Sequence, residues 1–254
     1  MVKVSVLMAV YNEEAHLREA VDSVLAQSFE DYEIIIIDDA STDGTRKISE
    51  EYAGKYDNVK VLRHNENKYR AAALNYGLTV AEGEFVAFLD GDDIYTGDKL
   101  KDQVRFMNEN KDVDLVYSDM ERFYPDGKRE VIKSLEIVRD LRDVLRDAQK
   151  REDLGEVKPY ELLLEGREKQ LIPGANVMLR KKVFDSVKYD ENMITAQDYD
   201  LWFQIIGAGF KLAHLHGLHY SYRMHKDQTT KNQNFKVKCM KIVNEKLRRG
   251  VYFK

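Results

Sequence analysis

The first 120 residues alternate short apolar runs with stretches whose apolar positions recur at helical spacing. Residues 4–10, 34–37 and 85–89 are almost uninterrupted apolar runs, which is typical of parallel strands covered on both faces. Helix-like segments follow these runs, so the pattern predicts a parallel sheet with helices on both sides. The predicted strands are 4–10, 33–37, 59–62, 84–90 and 114–118, and the predicted helices are 12–25, 45–56, 71–81 and 98–110, with Asn12 as the cap of the first.

The pattern changes after the turn signal Tyr124-Pro125-Asp126-Gly127. The elements predicted beyond it are a charged helix over 134–154, a strand over 173–179, a helix from 197 to 207 or 209, and strands over 211–216 and 218–223. We therefore expect one continuous α/β domain. Its first half, residues 1–120, builds a mostly parallel central sheet, and its second half, residues 121–254, adds a smaller region of strands and helices.

Composition is that of a globular chain long enough to bury a large core: 254 residues, 43% hydrophobic and 33% charged. The single cysteine, Cys239, excludes an intrachain disulfide and fits a reducing compartment. Residues 1–10 read as a strand rather than a signal peptide, and no apolar run approaches the ~20 residues that cross a bilayer. A cytoplasmic location is the expectation from these features.

Charge is unevenly distributed along the chain. Residues 226–254 carry nine Lys and Arg against Asp227 and Glu245, a local charge of +7 within a total of −5, so the preceding residues sum to about −12. A basic surface confined to a tail argues against a general nucleic-acid-binding protein. The tail is expected to be a solvated helix face, or alternatively a peripheral contact with anionic lipid.

The candidate chemistry begins where the run Phe85–Leu89 ends in Asp90-Gly91-Asp92-Asp93. Clustered carboxylates repel one another unless a cation lies against them, and carboxylate oxygens suit Mg²⁺ or Mn²⁺. Gly91 lets the backbone turn tightly, so that the flanking side chains can point to one side. The alternative is a polar turn in which Asp93 caps the next helix.

A second acidic strand end, Asp38-Asp39, is expected at the same edge of the sheet, where open α/β sheets bind ligands. A nucleotide diphosphate is the natural partner of a metal there. Tyr11 could stack on a base and Asp39 could accept a hydrogen bond from one, or the two could be rim packing and a capping residue. The turn after the first strand has no glycine-rich loop and carries Glu13, which disfavours a Rossmann or P-loop site.

Four segments in order resemble glycosyltransferase family 2, the inverting enzymes of the GT-A fold. They are residues 5–13, 38–45, 81–93 and 197–202, and the similarity extends over nearly the whole chain, most strongly over 3–118. The resemblance implies that residues 1–120 bind a nucleotide sugar, whereas residues 121–254 bind the acceptor and supply the catalytic base.

The resemblance also implies a role for individual residues. The nucleotide-binding set is Ala9, Tyr11, Glu13, Asp39, Arg70, Asp90 and Gly91. Asp92 is expected to hold Mn²⁺ or Mg²⁺, together with His225 of the segment Tyr222-Arg223-Met224-His225. Asp198 matches the family's general base. Gly174, within Pro173-Gly174-Ala175, would shape the acceptor side, with Gln197 where the family usually has glutamate and with Trp202, for which burial in the core is the alternative.

The reaction implied is transfer of a sugar from a nucleotide diphosphate, with a UDP-sugar favoured, to a hydroxyl of a glycan, lipid-linked or other acceptor. Asp39 is compatible with uridine or thymidine and does not exclude guanosine. The absence of Gln-x-x-Arg-Trp and of membrane spans argues against a processive polysaccharide synthase. Two alternatives stay open: a non-catalytic nucleotide-sugar-binding protein and, less favoured, a sugar nucleotidyltransferase, which would want a glycine-rich basic loop after the first strand.

Overall fold

The computed structural model describes residues 2–134, 141–151, 172, 174–226, 228 and 233–253, with the backbone alone for 233–236. The elements of the first half are β1 (Val4–Val10), α1 (Leu17–Leu25), β2 (Tyr32–Asp38), α2 (Thr45–Lys55), β3 (Val59–Arg63), α3 (Tyr69–Val80) and β4 (Phe85–Phe88). These strands lie parallel in the order β3-β2-β1-β4. Val4 pairs with both Tyr32 and Phe85, so β1, β2 and β4 start level and their carboxyl ends share one edge.

The parallel strands are covered on both faces, as their apolar runs predict. Every side chain from Ile34 to Ile37 is fully buried, because successive residues of a strand point to opposite faces. On one side α3 approaches closely: a Cβ on Gly77 would lie 2.8 Å from Ile37 Cδ1. Only a residue without a side chain allows this distance, and the small residues of α3 therefore let it lie tightly against the sheet.

The second half extends the same sheet. Its elements are β5 (Ile94–Tyr95), α4 (Lys99–Glu109), β6 (Leu115–Phe123), β7 (Arg129–Ile132), α5 (Leu141–Gln149), β8 (Val177–Arg180), α6 (Gln197–Gly207), β9 (Leu212–Arg223) and α7 (Gln233–Arg248), with 3-10 helices at Lys181–Asp185 and Val251–Phe253. The order continues β4-β8-β6-β9-β5, and β7 pairs with β6. Since β8 is antiparallel to both β4 and β6, β6 keeps the direction of β4. The result is the expected α/β fold with a mostly parallel sheet.

Several local predictions differ from the structure. The two strands expected over 211–216 and 218–223 are one strand, β9, interrupted by a bulge: Ser118 pairs with Leu215, but Asp119 pairs with Leu218. Gly217, with φ of +135°, is the looped-out position, so its break in the pattern marks a bulge rather than a turn. The pattern missed β5 and β7, because each is short and lacks an apolar run.

Helix boundaries differ as well. The first helix begins at Leu17 rather than Asn12, whose side-chain oxygen instead accepts a hydrogen bond of 2.8 Å from the Thr42 N–H. Of the helix predicted over 134–154, the described part is α5, and Ser134 lies in a β-bridge. Residues 135–140 and 152–154 lie outside the described residues, as does Pro173 of the predicted strand 173–179, which begins at Val177.

Much of the basic tail forms α7, which packs one face against the core. Cys239, Val243 and Leu247 are buried on that face, and Lys246 Nζ lies 2.8 Å from Asp200 Oδ1 and 2.7 Å from Asp190 Oδ2. The tail is therefore a docked helix with a solvated outer face, and lipid contact by that face stays a prediction. Among the described residues, no helix has both the length and the apolar character that crossing a membrane requires.

Replacing Lys246 by Met should lower the free energy of unfolding by about 2–3 kcal/mol, measured by denaturant titration. Asp200 is fully buried, so losing the ammonium leaves a carboxylate in the core with only neutral donors. The expected cost lies at or below the 3–5 kcal/mol of a fully buried pair because Lys246 is 23% exposed. Lys241→Met, at an exposed position of the same helix, is the matched control. Equal stability of the two variants would contradict the assigned role.

Candidate active site

The loops that follow β1 and β2 are joined by hydrogen bonds at the carboxyl edge of the sheet. The Asn12 N–H donates to Ser41 Oγ at 3.0 Å, and the Glu13 N–H donates to Thr45 Oγ1 at 2.7 Å. Ala9 pairs with Ile37 just before this edge and packs against the core. These hydrogen bonds therefore hold the two loops in one arrangement at the edge.

Left-handed backbone conformations cluster at the predicted site. The non-glycine residues of positive φ in the described chain are Asn12 (57°), Ala40 (62°), Tyr69 (65°) and Ala196 (56°). Each directly adjoins a residue assigned to the site from sequence. Such conformations cost about 1–3 kcal/mol each and persist mainly where function constrains the backbone. The segments after β1 and β2 and those before Arg70 and Gln197 share this property.

Asp39 is buried at the end of β2 and is held through one oxygen. Its Oδ1 lies 2.7 Å from His64 Nδ1 and accepts the Lys68 N–H at 2.9 Å. Because Lys68 directly precedes α3, Asp39 joins the end of β2 to the segment that leads into this helix. Tyr11 directly follows β1 and is 45% exposed, so part of its ring is accessible at this edge.

The turn after β4 brings carboxylates against the loop after β1. A Cβ on Gly91 would lie 2.9 Å from Val10 Cγ1 and 3.0 Å from Glu13 Cγ, so glycine is required for this approach. Asp92 Oδ2 lies 2.8 Å from His225 Nε2. Glu13, Asp92 and His225 are thereby gathered around the turn.

Asp93 is buried rather than exposed on a helix terminus. It accepts hydrogen bonds of 2.7 Å from the Tyr220 hydroxyl and from the Arg223 N–H. The next helix, α4, begins only at Lys99, so the alternative in which Asp93 caps it is wrong. Asp93 instead anchors the end of β9 to the turn, and this contact carries His225 to Asp92.

The carboxylates around this turn destabilise one another's charged forms. Burial, together with the charges of Asp92 and Asp90, raises the pKa of Glu13 to about 8, and Arg223 opposes the shift only in part. Burial and Asp90 likewise raise the pKa of Asp92, whereas His225 lowers it. A divalent cation would remove this repulsion, and the available ligands are mainly hard oxygens. The residues present therefore fit Mn²⁺ or Mg²⁺.

Stability of the metal-free protein should fall as the pH rises from about 4.5 to 8. The folded pKa of Glu13, about 8, lies above its ordinary value of 4.5, so the folded state holds a proton that the unfolded chain releases in this window. Glu13→Gln should reduce this slope and raise the melting temperature at pH 8 by about 2–4 °C. Thermal melts at pH 6 and 8, with the exposed Glu30→Gln as control, measure it. An unchanged slope in Glu13→Gln would refute the assignment.

Arg70 connects the carboxylate turn to the second half of the chain. Its Nε and Nη2 lie 2.9 and 2.8 Å from Asp90 Oδ1. Burial opposes its charge, but Asp90 raises the pKa of Arg70 above its ordinary value, with further contributions from Tyr189 and Asp198. Arg70 therefore lies within electrostatic reach of both Asp90 and Asp198.

Asp198 lies at the start of α6, where the left-handed Ala196 directs the chain into the helix. Burial raises the pKa of its carboxyl group, and Arg70 partly offsets this. The Tyr199 N–H donates to Oδ1 at 2.9 Å. A Cβ on Gly174 would lie 2.6 Å from Oδ2, so the loop before β8 passes directly beside the carboxylate, and any larger residue there would displace it.

The other residues assigned to the acceptor side divide into two groups. Gln197 is buried, and its Oε1 has no hydrogen-bond partner among the described residues. Trp202 is fully buried in the core. The acceptor-side assignment of Trp202 is therefore corrected: its ring has no exposed surface on which an acceptor could stack, and the core alternative holds.

Sequence reasoning missed some residues that organise the site. His64 contacts Asp39, and Tyr189 contacts Arg70. No spacing in the sequence relates the two members of either pair. Arg223 carried a weak signal, because it precedes His225 by two residues in a segment already singled out. Its backbone holds Asp93, and its Nε donates to the Asp92 carbonyl at 2.7 Å.

A mostly parallel α/β sheet with an acidic turn at its carboxyl edge, and with the half-buried Asp198 near Arg70, is the arrangement expected of GT-A glycosyltransferases. Comparison with known families agrees. The model of glycosyl transferase family 2 matches residues 5–187, and the chain belongs to that family. It is a glycosyltransferase, and the fold predicted from sequence is confirmed.

Individual relatives cover much of the chain. An uncharacterized glycosyltransferase of Methanocaldococcus jannaschii is 28% identical over 223 residues, which are 87% of this chain and 70% of that protein. TarS of S. aureus, solved in complex with UDP-GlcNAc, superposes with a TM-score of 0.70 at 21% identity over 96% of this chain and 66% of that one. The mannosyltransferase PcManGT of Pyrobaculum calidifontis, in complex with GDP-Man and Mn²⁺, gives 0.63 at 20% identity over 89% and 58%. The chain spans less than two thirds of these two solved chains.

Proposed function

We propose that the protein transfers a sugar from a UDP-sugar to an acceptor hydroxyl with inversion, in a metal-dependent single displacement with Asp198 as general base. The observation that carries the proposal is the position of Arg70. Its Nε donates a hydrogen bond of 2.9 Å to Asp90, and its charge lowers the pKa of Asp198 against the effect of burial. The proposed donor-binding turn and the half-buried carboxylate of Asp198 are thus within reach of one side chain. Glycosyl transfer needs that proximity, because donor and acceptor must be held together.

Donor binding is assigned to the edge formed by β1, β2 and the turn after β4. Tyr11 stacks on the base, and Asp39, fixed through Oδ1 by His64 and Lys68, accepts a base N–H with its other oxygen. Ala9, Glu13 and Gly91 line the nucleotide, and Asp90 faces the ribose. The complexes of TarS with UDP-GlcNAc and of PcManGT with GDP-Man support a nucleotide sugar as the donor.

Asp92 and His225 would hold Mn²⁺ or Mg²⁺, and the Mn²⁺ in the PcManGT complex supports use of a divalent metal. The ion would neutralise charge on the departing diphosphate. Glu13, with a pKa of about 8, is the nearby acid whose proton would leave on cation binding. Arg70, which is bonded to Asp90, would add a second positive charge beside the cation.

Asp198 accepts the proton of the acceptor hydroxyl as that oxygen attacks the anomeric carbon from the side opposite the leaving group. Burial raises the pKa of Asp198 and makes it a better base than a solvated aspartate. The acceptor, a glycan, lipid-linked or other hydroxyl compound, lies against Gly174 and Gln197.

Incubation with a panel of UDP-sugars, GDP-mannose and Mn²⁺ tests the proposal. UDP release that depends on Mn²⁺, with inversion followed by NMR of the product, is the expected result. Saturable donor binding in a thermal-shift assay without release from any donor would instead indicate a binding module. Pyrophosphate release from UTP and a sugar phosphate would indicate a nucleotidyltransferase. Turnover without Mn²⁺ or Mg²⁺ would reject the metal-dependent step alone.

A further inference from the structure

A second cluster of metal-ligating side chains lies away from the acidic turn, on β6 and β9. His214 and His216 are two residues apart on β9, and His216 is the first unpaired residue of the bulge. In the parallel pairing His214 lies opposite Tyr117, and Asp119 is two residues beyond Tyr117 on β6. His214 and Asp119 therefore belong to one face of the sheet, and His216 contacts His214 from the bulge.

The local geometry brings these three groups together. His214 Nε2 lies 3.0 Å from Asp119 Oδ1, and the rings of His214 and His216 have centroids 4.7 Å apart. One ligand atom from each of the three residues lies within 4.8 Å of those of the other two. The bulge at His216 and Gly217 interrupts the pairing of β9 with β6 at this point. A bulge changes the direction of the side chains it carries, and here it creates the arrangement of the three groups.

The surroundings hold two of the ligands in place. The Ser134 N–H donates to Asp119 Oδ1 at 2.9 Å, and the His214 ring stacks on Tyr117 at 5.5 Å. Lys133 also contacts Asp119 at 3.2 Å, but its side chain is 72% exposed and is free to turn to solvent. Asp119 is buried whereas His216 is exposed. The cluster is thus ordered on its inner side and open on its outer side.

We propose that Asp119, His214 and His216 bind a divalent transition-metal ion of the zinc class, with water in the open position. Two imidazole nitrogens and one carboxylate are the ligands that such ions favour, whereas Mg²⁺ and Ca²⁺ prefer oxygen alone. Ligands about 2.0–2.1 Å from zinc stand roughly 3.3 Å apart in a tetrahedron. The distance of 3.0 Å between His214 and Asp119 already approaches that value.

The ion would join β6 to β9 at their bulge. Beyond the bulge, β9 continues to Arg223 and then His225, which contact Asp93 and Asp92. The bound metal thus stabilises the strand that leads to the acidic turn without taking part in sugar transfer. The site shares no ligand with that turn, so it stands or falls independently of the proposed function.

Titration of purified, chelator-treated protein with Co²⁺ tests the site. Cobalt in a tetrahedral site with nitrogen ligands absorbs visible light far more strongly than cobalt in an octahedral oxygen site, so the spectrum separates this cluster from the turn at Asp92. One equivalent of Co²⁺ should give the intense band, and Zn²⁺ should displace it. His216→Gln is the informative variant, because an exposed side chain is removed without touching the core.

The expected result is a loss of affinity of more than about tenfold in His216→Gln, together with loss of the intense band and of the zinc-induced rise in melting temperature. His225→Gln, which removes an imidazole at the acidic turn, is the control and should keep the band. An unchanged band in His216→Gln, or a band lost only in His225→Gln, would overturn the proposal. So would a wild-type titration without any intense band.

Discussion

Replacing Asp198 by Asn should lower kcat for sugar transfer by about 10²–10⁴-fold while changing donor affinity by less than about threefold. Asparagine keeps the size of the side chain and a carbonyl oxygen able to accept the Tyr199 N–H seen at 2.9 Å, but it cannot accept a proton. General bases contribute roughly 10²–10⁴-fold. Because Asp198 is not part of the acidic turn to which we assign the diphosphate, the loss should fall on kcat.

Steady-state release of UDP measures the first effect, and a thermal shift with UDP and Mn²⁺ measures the second. Asp185→Asn, at an exposed position of the 3-10 helix Lys181–Asp185, is the control and should retain full activity. A variant Asp198→Asn that keeps more than a tenth of the wild-type rate would rule out this residue as the base. Loss of donor binding in the same variant would indicate a structural role instead.

The parallel half of the fold could be predicted from sequence because its strands are buried on both faces. Such strands appear as continuous apolar runs rather than as alternating apolar and polar residues. The runs at 34–37 and 85–89 have no other stable environment than the middle of such a sheet, and the carboxylates that follow them must reach its carboxyl edge. Asp39 and Asp90 could therefore be placed near each other without coordinates. Local pattern and global position coincide in this part of the chain.

The remaining contacts depend on residues far apart in the chain. Arg223 and Asp93 are 130 positions apart, and nothing in either segment specifies the pairing. Trp202 shows a related difficulty, because its α6 is buried on nearly every side and an aromatic residue near a catalytic position carries no sign of which way it points. The bulge at Gly217 was also unreadable, since a glycine between two strands predicts a turn as readily as a bulge.

Arg70 explains why two halves that look separable in sequence form one site. Its helix, α3, packs on the parallel strands through Gly77, so its position is set by the first half of the chain. The Asn75 side chain on the same helix donates to the Tyr189 carbonyl at 3.0 Å, and Tyr189 in turn lies against Arg70 and Asp198. The helix thus holds the base-bearing segment at a fixed distance from the acidic turn.

Asp92→Asn should abolish the Mn²⁺-dependent part of the thermal shift with UDP and reduce transfer at least about 100-fold. Asp92 Oδ2 lies 2.8 Å from His225, and removing its charge removes a principal metal ligand. The exposed Asp57→Asn is the control and should behave as wild type. Retention of the Mn²⁺-dependent shift in Asp92→Asn would place the metal elsewhere.

Metal binding at this turn should also release a proton in the wild type. Glu13, with a pKa of about 8, is largely protonated at pH 7, and a nearby cation favours its charged form. Calorimetric titration with Mn²⁺ and UDP in buffers of different ionisation enthalpy measures the proton count. In Asp92→Asn the repulsion on Glu13 is weaker and the cation is no longer held, so the buffer dependence should disappear. The same buffer dependence in both proteins would mean that the released proton comes from another group, and that the raised pKa of Glu13 does not report on the metal.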